Sequence, residues 1–319
     1  MKLNKIKLAL GFVTAATLAM PMVASAAADQ EKAMKDASNW AHPRGQHDNQ
    51  AHSKLTQINK GNVKNLKAAW TLSTGVNRGH EGSPVVVGNM LYVHTAFPNN
   101  VYALDLNNNQ KVVWSYFPKQ DPSVQAVLCC DNVNRGLGYG DGKIFLQQND
   151  GMLVALDAKT GAKVWDVRNT DPKVGATNTN APHVIKDKIL TGCSGAEFGV
   201  RCFIAAYNIA DGSLAWKAMS TGSDADALIG ADFNKDTPLY SALSVYEDVN
   251  GGNKQGGSFK RIPAGQLKGG VTDLGLKTWL KPQAVKDGWQ HGGGSTWGWW
   301  PYDAKTNLVY YGTGNPSVW

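Results

Sequence analysis

The amino-acid sequence predicts an all-β protein of the β-propeller class, and three observations support this prediction. A strand–turn–strand unit recurs along the chain, as Val101–Trp114, Leu153–Trp165 and Ile204–Trp216. When Trp70 is counted as the end of an earlier copy, the tryptophans are 44, 51 and 51 residues apart, which is the length of a four-stranded propeller blade. The 35 glycines and the low charged content of 18% are also typical of a turn-rich β protein.

Each unit consists of two predicted strands joined by a tight turn. In the second unit, Leu153–Asp157 alternates apolar and small residues at the period of a strand. The Asp157 side chain can accept hydrogen bonds from the turn backbone, and Gly161 can adopt a positive φ at little steric cost. Trp165 then offers a large ring to a neighbouring element. A β-sandwich could also repeat hairpins, but it has no reason to repeat one tryptophan at a fixed step.

The first 26 residues have the composition of a secretory signal peptide. Three lysines precede an apolar run, Leu8–Val23, and small residues follow at 24–26. Because the run is short for a membrane span, the sequence predicts export, most simply to a bacterial periplasm, with no membrane span after cleavage. These lysines contribute to the net charge of +7, so the remaining positive excess is mild and no nucleic-acid partner is expected.

The rest of the chain, residues 27–319, is predicted to be one partial propeller domain. A short helix is expected over residues 27–39. In His42–His52 the histidines are at steps of five, which matches neither one helix face nor one strand face, so a solvated lead-in is favoured over a metal site. Residues 218–290 interrupt the repeat as a glycine-rich insertion. The periodic pattern returns at Trp297–Tyr311, which gives about four blades.

Two stretches that look like ligand-binding loops fail on their context. Alternate glycines at 136–142 suggest a phosphate loop, but the strand-like Lys143–Leu146 follows them where a helix is needed. Asp224 and Asp226 begin like a calcium-binding loop, but Leu228 occupies the place of a third ligand. Neither motif therefore predicts a site.

The four cysteines allow three disulfide pairings. Cys129 and Cys130 are adjacent, and a bond between neighbours is strained because their Cα atoms are only about 3.8 Å apart. If these two residues pair, Cys193 and Cys202 form the second bond. Otherwise each of the adjacent cysteines pairs with a distant one. The residues alone leave these alternatives equally open.

Several motifs together resemble the pyrroloquinoline quinone (PQQ)-dependent alcohol dehydrogenases. The similarity is greatest to methanol dehydrogenase large subunits, including lanthanide-dependent ones. It runs from about Asn39 to Trp319 and weakens across 236–290. The motifs that carry it are His80–Pro84 (HEGSP), His94–Asp105 (HTAFPNNVYALD), the Cys129-Cys130 pair, Ser194–Arg201 (SGAEFGVR), and WGW and GNP between Trp297 and Pro316.

The resemblance implies an eight-bladed propeller with tryptophan-docking repeats, of which this chain carries roughly the first half. Trp297 is implied to stack beneath the quinone, and a disulfide ring of Cys129 and Cys130 is implied to cover its other face. The implied in-plane contacts to the cofactor are Glu81, Arg135, Thr179, Ser194, Gly195, Ala196 and Ser295. Glu197 and Asn315 are the implied ligands of calcium or a lanthanide, cations that prefer hard oxygen ligands.

The implied activity is oxidation of a primary alcohol, methanol above others, to the aldehyde by metal-assisted hydride transfer to PQQ. Electrons would pass to a periplasmic c-type cytochrome, and a homodimer or a small-subunit complex is a further expectation. The family's catalytic aspartate lies beyond the Gly-Asn-Pro turn, so no catalytic base is assigned before Trp319. We therefore expect the fragment alone to be inactive and to bind cofactor poorly.

Cys193 and Cys202 depart from the family pattern, and we expect them to form a cross-strand brace around Glu197. Two alternatives to a methanol dehydrogenase are a quinoprotein for ethanol or another alcohol, and an exported propeller that serves only as a scaffold. A scaffold would not need the adjacent cysteines, Glu197, Trp297 and Asn315 together. Their joint presence favours the enzyme.

Overall fold

The computed structural model of the protein describes residues 28–128, 130–221, 244–248, 259–263 and 293–314. These residues form a partial β-propeller of three four-stranded antiparallel blades, one of them extended by a fifth strand, together with two separate two-stranded pairs. The predicted all-β propeller class is confirmed. Within the described ranges, no helix is long and apolar enough to cross a membrane.

The elements are short, as expected for blades. One α-helix, α1, spans Ala28–Lys35 and confirms the predicted short helix. Short 3-10 turns span Val63–Asn65, Pro122–Val127, Pro172–Val174 and Ala196–Phe198. The strands, in chain order, are β1 His80–Ser83, β2 Val85–Val87, β3 Met90–His94, β4 Val101–Asp105, β5 Lys111–Tyr116, β6 Asn134–Gly140, β7 Lys143–Gln147, β8 Met152–Asp157, β9 Lys163–Arg168, β10 His183–Ile185, β11 Lys188–Thr191, β12 Phe203–Asn208, β13 Leu214–Met219, β14 Ser244–Asp248, β15 Phe259–Pro263, β16 Tyr302–Asp303 and β17 Leu308–Val309.

The three blades share one topology. The first is β2-β3-β4-β5, the second β6-β7-β8-β9 and the third β10-β11-β12-β13, each with consecutive strands paired antiparallel. In every blade the register shifts at the same place in the pairing of the last two strands. The two-residue strands β16 and β17 pair in the same antiparallel way. The repeat inferred from the sequence is therefore a structural repeat of these blades.

The β6 edge of the second blade carries an additional strand. Strand β1 pairs parallel with β6, and Pro84, which has no backbone N–H, separates β1 from β2 of the first blade. The first strand along the chain, β1, thus pairs with the second blade before the chain enters the first blade. This crossing places Glu81 on β1 beside Arg135 on β6.

Tryptophans join successive blades. The indole N–H of Trp114 donates to the carbonyl of Ala158 at 3.0 Å. Its ring lies over Gly161, where a Cβ would come within 2.6 Å of the indole. The next boundary repeats this contact, since the indole N–H of Trp165 donates to the carbonyl of Ile209 at 3.3 Å. Each tryptophan therefore docks on the turn between the last two strands of the following blade.

The earlier copy inferred at Trp70 is not formed as a strand. Residues 66–79 contain no strand, and Trp70 is 43% exposed. None of the described strands pairs with this stretch, and a single strand without a partner leaves its backbone groups without ladder hydrogen bonds. The repeat in the structure begins with the first blade.

Apolar cores fill the spaces between successive sheets. One core lies between the first and second blades, a second between the second and third, and a third beneath the β16–β17 hairpin. Gly138 on β6 lets the blades approach closely, because a Cβ there would lie 2.9 Å from the carbonyl oxygen of Pro182. Gly136, Gly138 and Gly140 thus belong to β6 and Gly142 to the turn that follows, and strand β7 then stands where a phosphate loop needs a helix.

Several sequence predictions fall outside the described residues. They concern the signal peptide at residues 1–26, Asp224 and Asp226, most of the 218–290 insertion, Cys129 and Asn315.

Candidate cofactor-binding site

Arg135, the second residue of β6, is the centre of the candidate site. Its Nη2 lies 2.9 Å from Oε2 of Glu81, and its Nη1 donates to the carbonyl of Thr179 at 3.1 Å. The guanidinium carbon lies 4.6 Å from the centroid of the Trp297 ring. One buried cation therefore connects three segments that are far apart in the sequence.

Arg135 is a cation, as arginine side chains are in proteins. Burial lowers the pKa of its guanidinium, while the Glu81 carboxylate and the nearby Cys130 side chain act in the opposite direction. An ion pair with a charge-assisted hydrogen bond is stronger than a neutral hydrogen bond. Because Glu81 is half-exposed and Arg135 is buried, the pair presents one polar edge, the carboxylate, to solvent.

A second polar edge comes from Thr179 and Ser194. Their hydroxyl oxygens are 2.6 Å apart, and the backbones of Thr177 and Ser194 exchange two hydrogen bonds. Gly195 follows with a φ of 122°, and a Cβ there would collide with the carbonyl oxygen of Gly175. The two loops therefore contact each other directly, and only glycine is compatible with the backbone at this position.

Trp297 and Ser295 place an exposed aromatic ring and a buried hydroxyl beside these loops. Trp297 is 43% exposed even though Arg135 lies over its ring. Ser295 is 2% exposed, and its hydroxyl has no hydrogen-bond partner among the described residues. The Gly314 N–H donates to the carbonyl of Ser295 at 2.8 Å, and a Cβ at Gly314 would collide with the serine hydroxyl. Both segments line a cavity of about 210 Å³.

Cys193 and Cys202 form a disulfide with their Cα atoms 5.5 Å apart, which confirms the predicted brace. It closes the loop that contains the 3-10 turn Ala196–Phe198 and the half-buried Glu197. The same loop begins with Ser194 and Gly195. Hence the disulfide fixes the ends of a segment that carries four of the predicted site residues.

Thr296 was not identified from the sequence, although it connects this loop to the tryptophan segment. Its hydroxyl accepts from the Cys193 N–H at 3.0 Å and donates to the carbonyl of Phe203 at 2.7 Å. Its own N–H donates to the carbonyl of Cys193 at 2.9 Å. A threonine between Ser295 and Trp297 carries no signal of such contacts, because its partners lie about a hundred residues away.

Trp299 and Trp300 have different roles from Trp297. The indole N–H of Trp299 donates to the carbonyl of Arg135 at 3.1 Å, which supports the backbone at the centre of the site. Trp300 is fully buried and stacks on His183 with ring centroids 4.9 Å apart. Of the tryptophans at 297–300, one ring is thus exposed, one supports the backbone of Arg135 and one is packed in the interior.

The solvated lead-in predicted for His42–His52 is wrong at His42. Its ring is buried, and its centroid lies 5.5 Å from those of both His47 and His183. Burial lowers the pKa of His42, so the neutral ring packs as an aromatic group. Among the described residues, no group of three or more His, Cys, Asp or Glu side chains could hold a metal ion.

The structure brings most of the predicted site residues into one neighbourhood. The guanidinium of Arg135 contacts Glu81, Thr179 and Trp297. Ser194 bonds to Thr179, and Ser295 lies two residues before Trp297 in the sequence. Gly195, Ala196 and Glu197 follow Ser194 in the braced loop, and Cys130 is exposed near Arg135. Cys129 and Asn315 lie outside the described residues.

Comparisons with known proteins identify the family of the chain. The PQQ family model for the glucose/ethanol/alcohol dehydrogenase β-propeller domain matches residues 40–238. A lanthanide-dependent methanol dehydrogenase of Methylorubrum extorquens is 51% identical over 271 residues, which cover 85% of this chain and 39% of the relative. Methanol dehydrogenase [cytochrome c] subunit 1 of the same organism is 45% identical over 291 residues, covering 89% of this chain and 41% of the relative.

A solved structure, a europium-containing methanol dehydrogenase, is similar with a TM-score of 0.71 and 42% identity. The similarity covers 91% of this chain and 44% of that one. The chain thus spans less than half the length of the relatives it matches. Since the family model matches more than half of the chain, the protein belongs to the glucose/ethanol/alcohol dehydrogenase β-propeller family.

Proposed function

We propose that the chain is part of a PQQ-dependent alcohol dehydrogenase, and that methanol is its substrate. The observation that carries the proposal is the Glu81–Arg135–Trp297 cluster, in which a buried cation, a carboxylate and an exposed indole lie together. A planar ligand with several carboxylates needs an aromatic surface and fixed cationic and hydroxyl donors at its rim. The names of the similar methanol dehydrogenases support the choice of substrate.

The residues present fit a flat, acidic cofactor. The exposed indole of Trp297 offers a stacking surface, and the unpartnered hydroxyl of Ser295 is a buried donor that a ligand oxygen could satisfy. Arg135, which lies over the Trp297 ring, and the hydrogen-bonded Thr179 and Ser194 add polar groups next to this surface. We propose that Gly195 and Ala196 let the cofactor approach the backbone, and that a Cys129–Cys130 disulfide covers its second face.

We assign Glu197 and Asn315 to a calcium or lanthanide ion. A glutamate carboxylate and an asparagine carbonyl are hard oxygen ligands of the kind that both cations prefer. The disulfide between Cys193 and Cys202 restrains the loop that presents Glu197, which lowers the entropic cost of ordering this ligand. Sequence similarity to lanthanide-dependent relatives supports the inclusion of lanthanides.

When bound, PQQ supplies a carbonyl carbon that accepts a hydride from the alcohol, and the cation polarises that carbonyl. The residues of this chain bind and orient the cofactor. Arg135 holds anionic oxygens, Trp297 fixes the plane of the ring, and the hydroxyls of Thr179 and Ser194 orient its edge. None of the described residues is assigned as the base that takes the alcohol proton.

Electron transfer to a periplasmic c-type cytochrome is also proposed. Two similar proteins are named as cytochrome c-linked methanol dehydrogenase subunits. The lysines and apolar run of residues 1–26 support export. N-terminal sequencing of the mature protein tests the cleavage, and gel filtration of the same sample tests a homodimer or a small-subunit complex.

The decisive experiment uses the product of the complete gene, purified with its bound groups. We expect a quinone absorption band, one calcium or lanthanide ion per chain by elemental analysis, and methanol-dependent reduction of cytochrome c. Faster turnover of ethanol than of methanol would identify ethanol, rather than methanol, as the preferred substrate. The absence of both chromophore and activity after incubation with PQQ and either cation would refute the enzyme and favour an exported scaffold.

Arg135→Leu tests the site within that protein. We expect PQQ affinity to fall by about a hundredfold, because the variant lacks the buried charged group that contacts the ligand. Arg168→Leu is the matched control, because the Arg168 guanidinium also donates to backbone carbonyls, those of Asp150 and Thr170. PQQ should bind this control as it binds the unmodified protein. Equal affinity in Arg135→Leu would remove Arg135 from the proposed site.

A further inference from the structure

We infer that His94 is a positioning residue that holds Glu81 and Arg135 in the geometry needed to bind the cofactor. This inference rests on the proposed function, because it assigns His94 a role in cofactor affinity. His94 is the last residue of β3, in the first blade, and its side chain is buried. It begins the motif His94–Asp105, to which no function has been assigned above.

His94 contacts the backbone next to Arg135. Its Nε2 lies 3.2 Å from the carbonyl oxygen of Asn134, the residue before Arg135. A carbonyl can only accept, so the neutral ring carries its proton on Nε2. Asn134 is itself fixed, since its side-chain amide donates to the carbonyl of Gln147 at 2.7 Å. The imidazole therefore restrains the main chain directly before the guanidinium.

The same ring also restrains the backbone next to Glu81. A Cβ at Gly82 would collide with Cε1 and Nε2 of His94, so the ring lies directly against the glycine backbone. That Cβ would also come within 2.9 Å of the backbone carbon of Arg135. The imidazole thus fills the space where β1, β3 and β6 meet.

The strand ladder does not fix this region. Strands β1 and β6 pair at His80 with Asn134 and at Ser83 with Gly136, and the register shifts between these pairs. Glu81 and Arg135 lie inside the irregular stretch. Where regular pairing is interrupted, side chains must supply the restraint that the ladder provides elsewhere. The His94 side chain contacts both strands there.

The charge of the ring is compatible with this role. Burial lowers the pKa of His94 to about 4, so the imidazole is neutral at neutral pH. A neutral ring can lie beside the Arg135 segment without repelling its cation. A lysine or arginine of similar length could donate to the same carbonyl, but it would add a second buried positive charge.

The test compares three variants of the full-length protein, prepared without cofactor and titrated with PQQ in the presence of calcium. His94→Leu removes the donor but keeps an apolar side chain of comparable volume. His94→Gln keeps an N–H donor near the position of Nε2. Tyr92→Phe is the control, because Tyr92 lies on the same strand and its hydroxyl donates to the carbonyl of Ala158, away from Arg135.

The dissociation constant is read from quenching of tryptophan fluorescence, and thermal unfolding is recorded for each apo variant. We expect His94→Leu to weaken PQQ binding by about tenfold, the equivalent of one lost hydrogen bond, and His94→Gln to bind within about threefold of the unmodified protein. Tyr92→Phe should lose stability but keep its affinity. If His94→Leu does not fold, His94→Asn, which is too short to reach Asn134, replaces it with the same expectation.

The outcomes separate this inference from the proposed function. If the unmodified protein binds no PQQ, the proposed function fails. If it binds PQQ and His94→Leu binds equally well, only the positioning role is overturned. Equal weakening by the leucine and glutamine variants also overturns it, because donation from Nε2 would then be irrelevant. Weakening by Tyr92→Phe to the same degree would reduce His94 to a general contribution to stability.

Discussion

The tryptophan joints between blades and the site around Arg135 differ in how completely their polar groups are paired. At the joints, the indole N–H groups of Trp114 and Trp165 each have a carbonyl acceptor. In the site, the Ser295 hydroxyl is buried without a partner among the described residues, and Trp297 remains exposed. The same amino acid, tryptophan, is therefore structural at one place and available to a ligand at the other.

This difference is expected if the Arg135 region binds the proposed cofactor. A joint has to hold two blades together in the absence of any ligand, so its contacts are complete within the chain. A binding site has to leave donors and aromatic surface open until the ligand arrives, which costs stability in the empty protein. The comparison can be tested by substitutions that affect one region and leave the other intact.

The largest effect is expected for Trp114→Ala at a joint. Removing this buried ring should lower the free energy of unfolding by about 3–5 kcal/mol, because a large cavity replaces it and the carbonyl of Ala158 loses a donor. Urea denaturation of the full-length protein measures the change. Val113→Ala, at a residue that is 45% exposed, should change it by less than about 0.5 kcal/mol. Similar values for the two variants would refute the docking role.

Removal of the disulfide should have an intermediate effect, because this bond constrains the fold and also the loop that contains Glu197. Replacing Cys193 and Cys202 together by alanine should lower the free energy of unfolding by about 2–3 kcal/mol through the opened loop. Affinity for calcium or a lanthanide should fall as well, since Glu197 lies in that loop. Urea denaturation and metal titration measure the two effects. Unchanged metal affinity would show that Glu197 is held by other contacts or is not a ligand.

Acid should lower the stability of the folded protein through its buried histidines rather than through the tryptophan joints. Burial lowers the pKa values of His94 and His183 to about 4, below the ordinary value of 6.5. Between these pH values the unfolded chain binds protons that the folded chain does not, so stability falls as the pH decreases through this window. Each histidine contributes about 1.4 kcal/mol per pH unit. His94→Gln should reduce the slope of unfolding free energy against pH by one proton, and an unchanged slope would contradict the assignment.

The smallest effect is expected for Ser295→Ala, and its sign is informative. Removing an unpartnered buried hydroxyl should raise the stability of the cofactor-free protein by up to about 1 kcal/mol, while PQQ affinity falls. The neighbouring Thr296→Val should instead lower stability, because the Thr296 hydroxyl makes two hydrogen bonds. Thermal unfolding and PQQ titration distinguish these results. A destabilised Ser295→Ala variant would mean that the hydroxyl already has a partner.

The repeat could be inferred from local pattern alone. Strand alternation, the glycine in each turn and the spacing of the tryptophans depend on residues within one blade, and they predicted the blades correctly. The disulfide of Cys193 and Cys202 was predicted only with the help of the resemblance, because the residues alone left the pairings open. Trp70 shows the limit of this reasoning, since a strand needs a partner as well as a suitable sequence.

The identity of the site residues came from resemblance, and their arrangement came from packing. Nothing in the local sequence around Arg135 indicates that its guanidinium lies over Trp297, more than 150 residues away. The supporting contacts of His94, Thr296 and Trp299 were missed for the same reason, and so was the burial of His42 among aromatic rings.

Periodic side chains and turn residues act over a few positions, so a short stretch of sequence is enough to predict blades and turns. A binding site in a propeller is built from segments of different blades, and the distances between them depend on how the sheets pack. Strand β1 is the clearest case, because it crosses from the first blade to pair with the second and thereby places Glu81 beside Arg135. That pairing depends on the packing of whole sheets, which no short stretch of residues encodes.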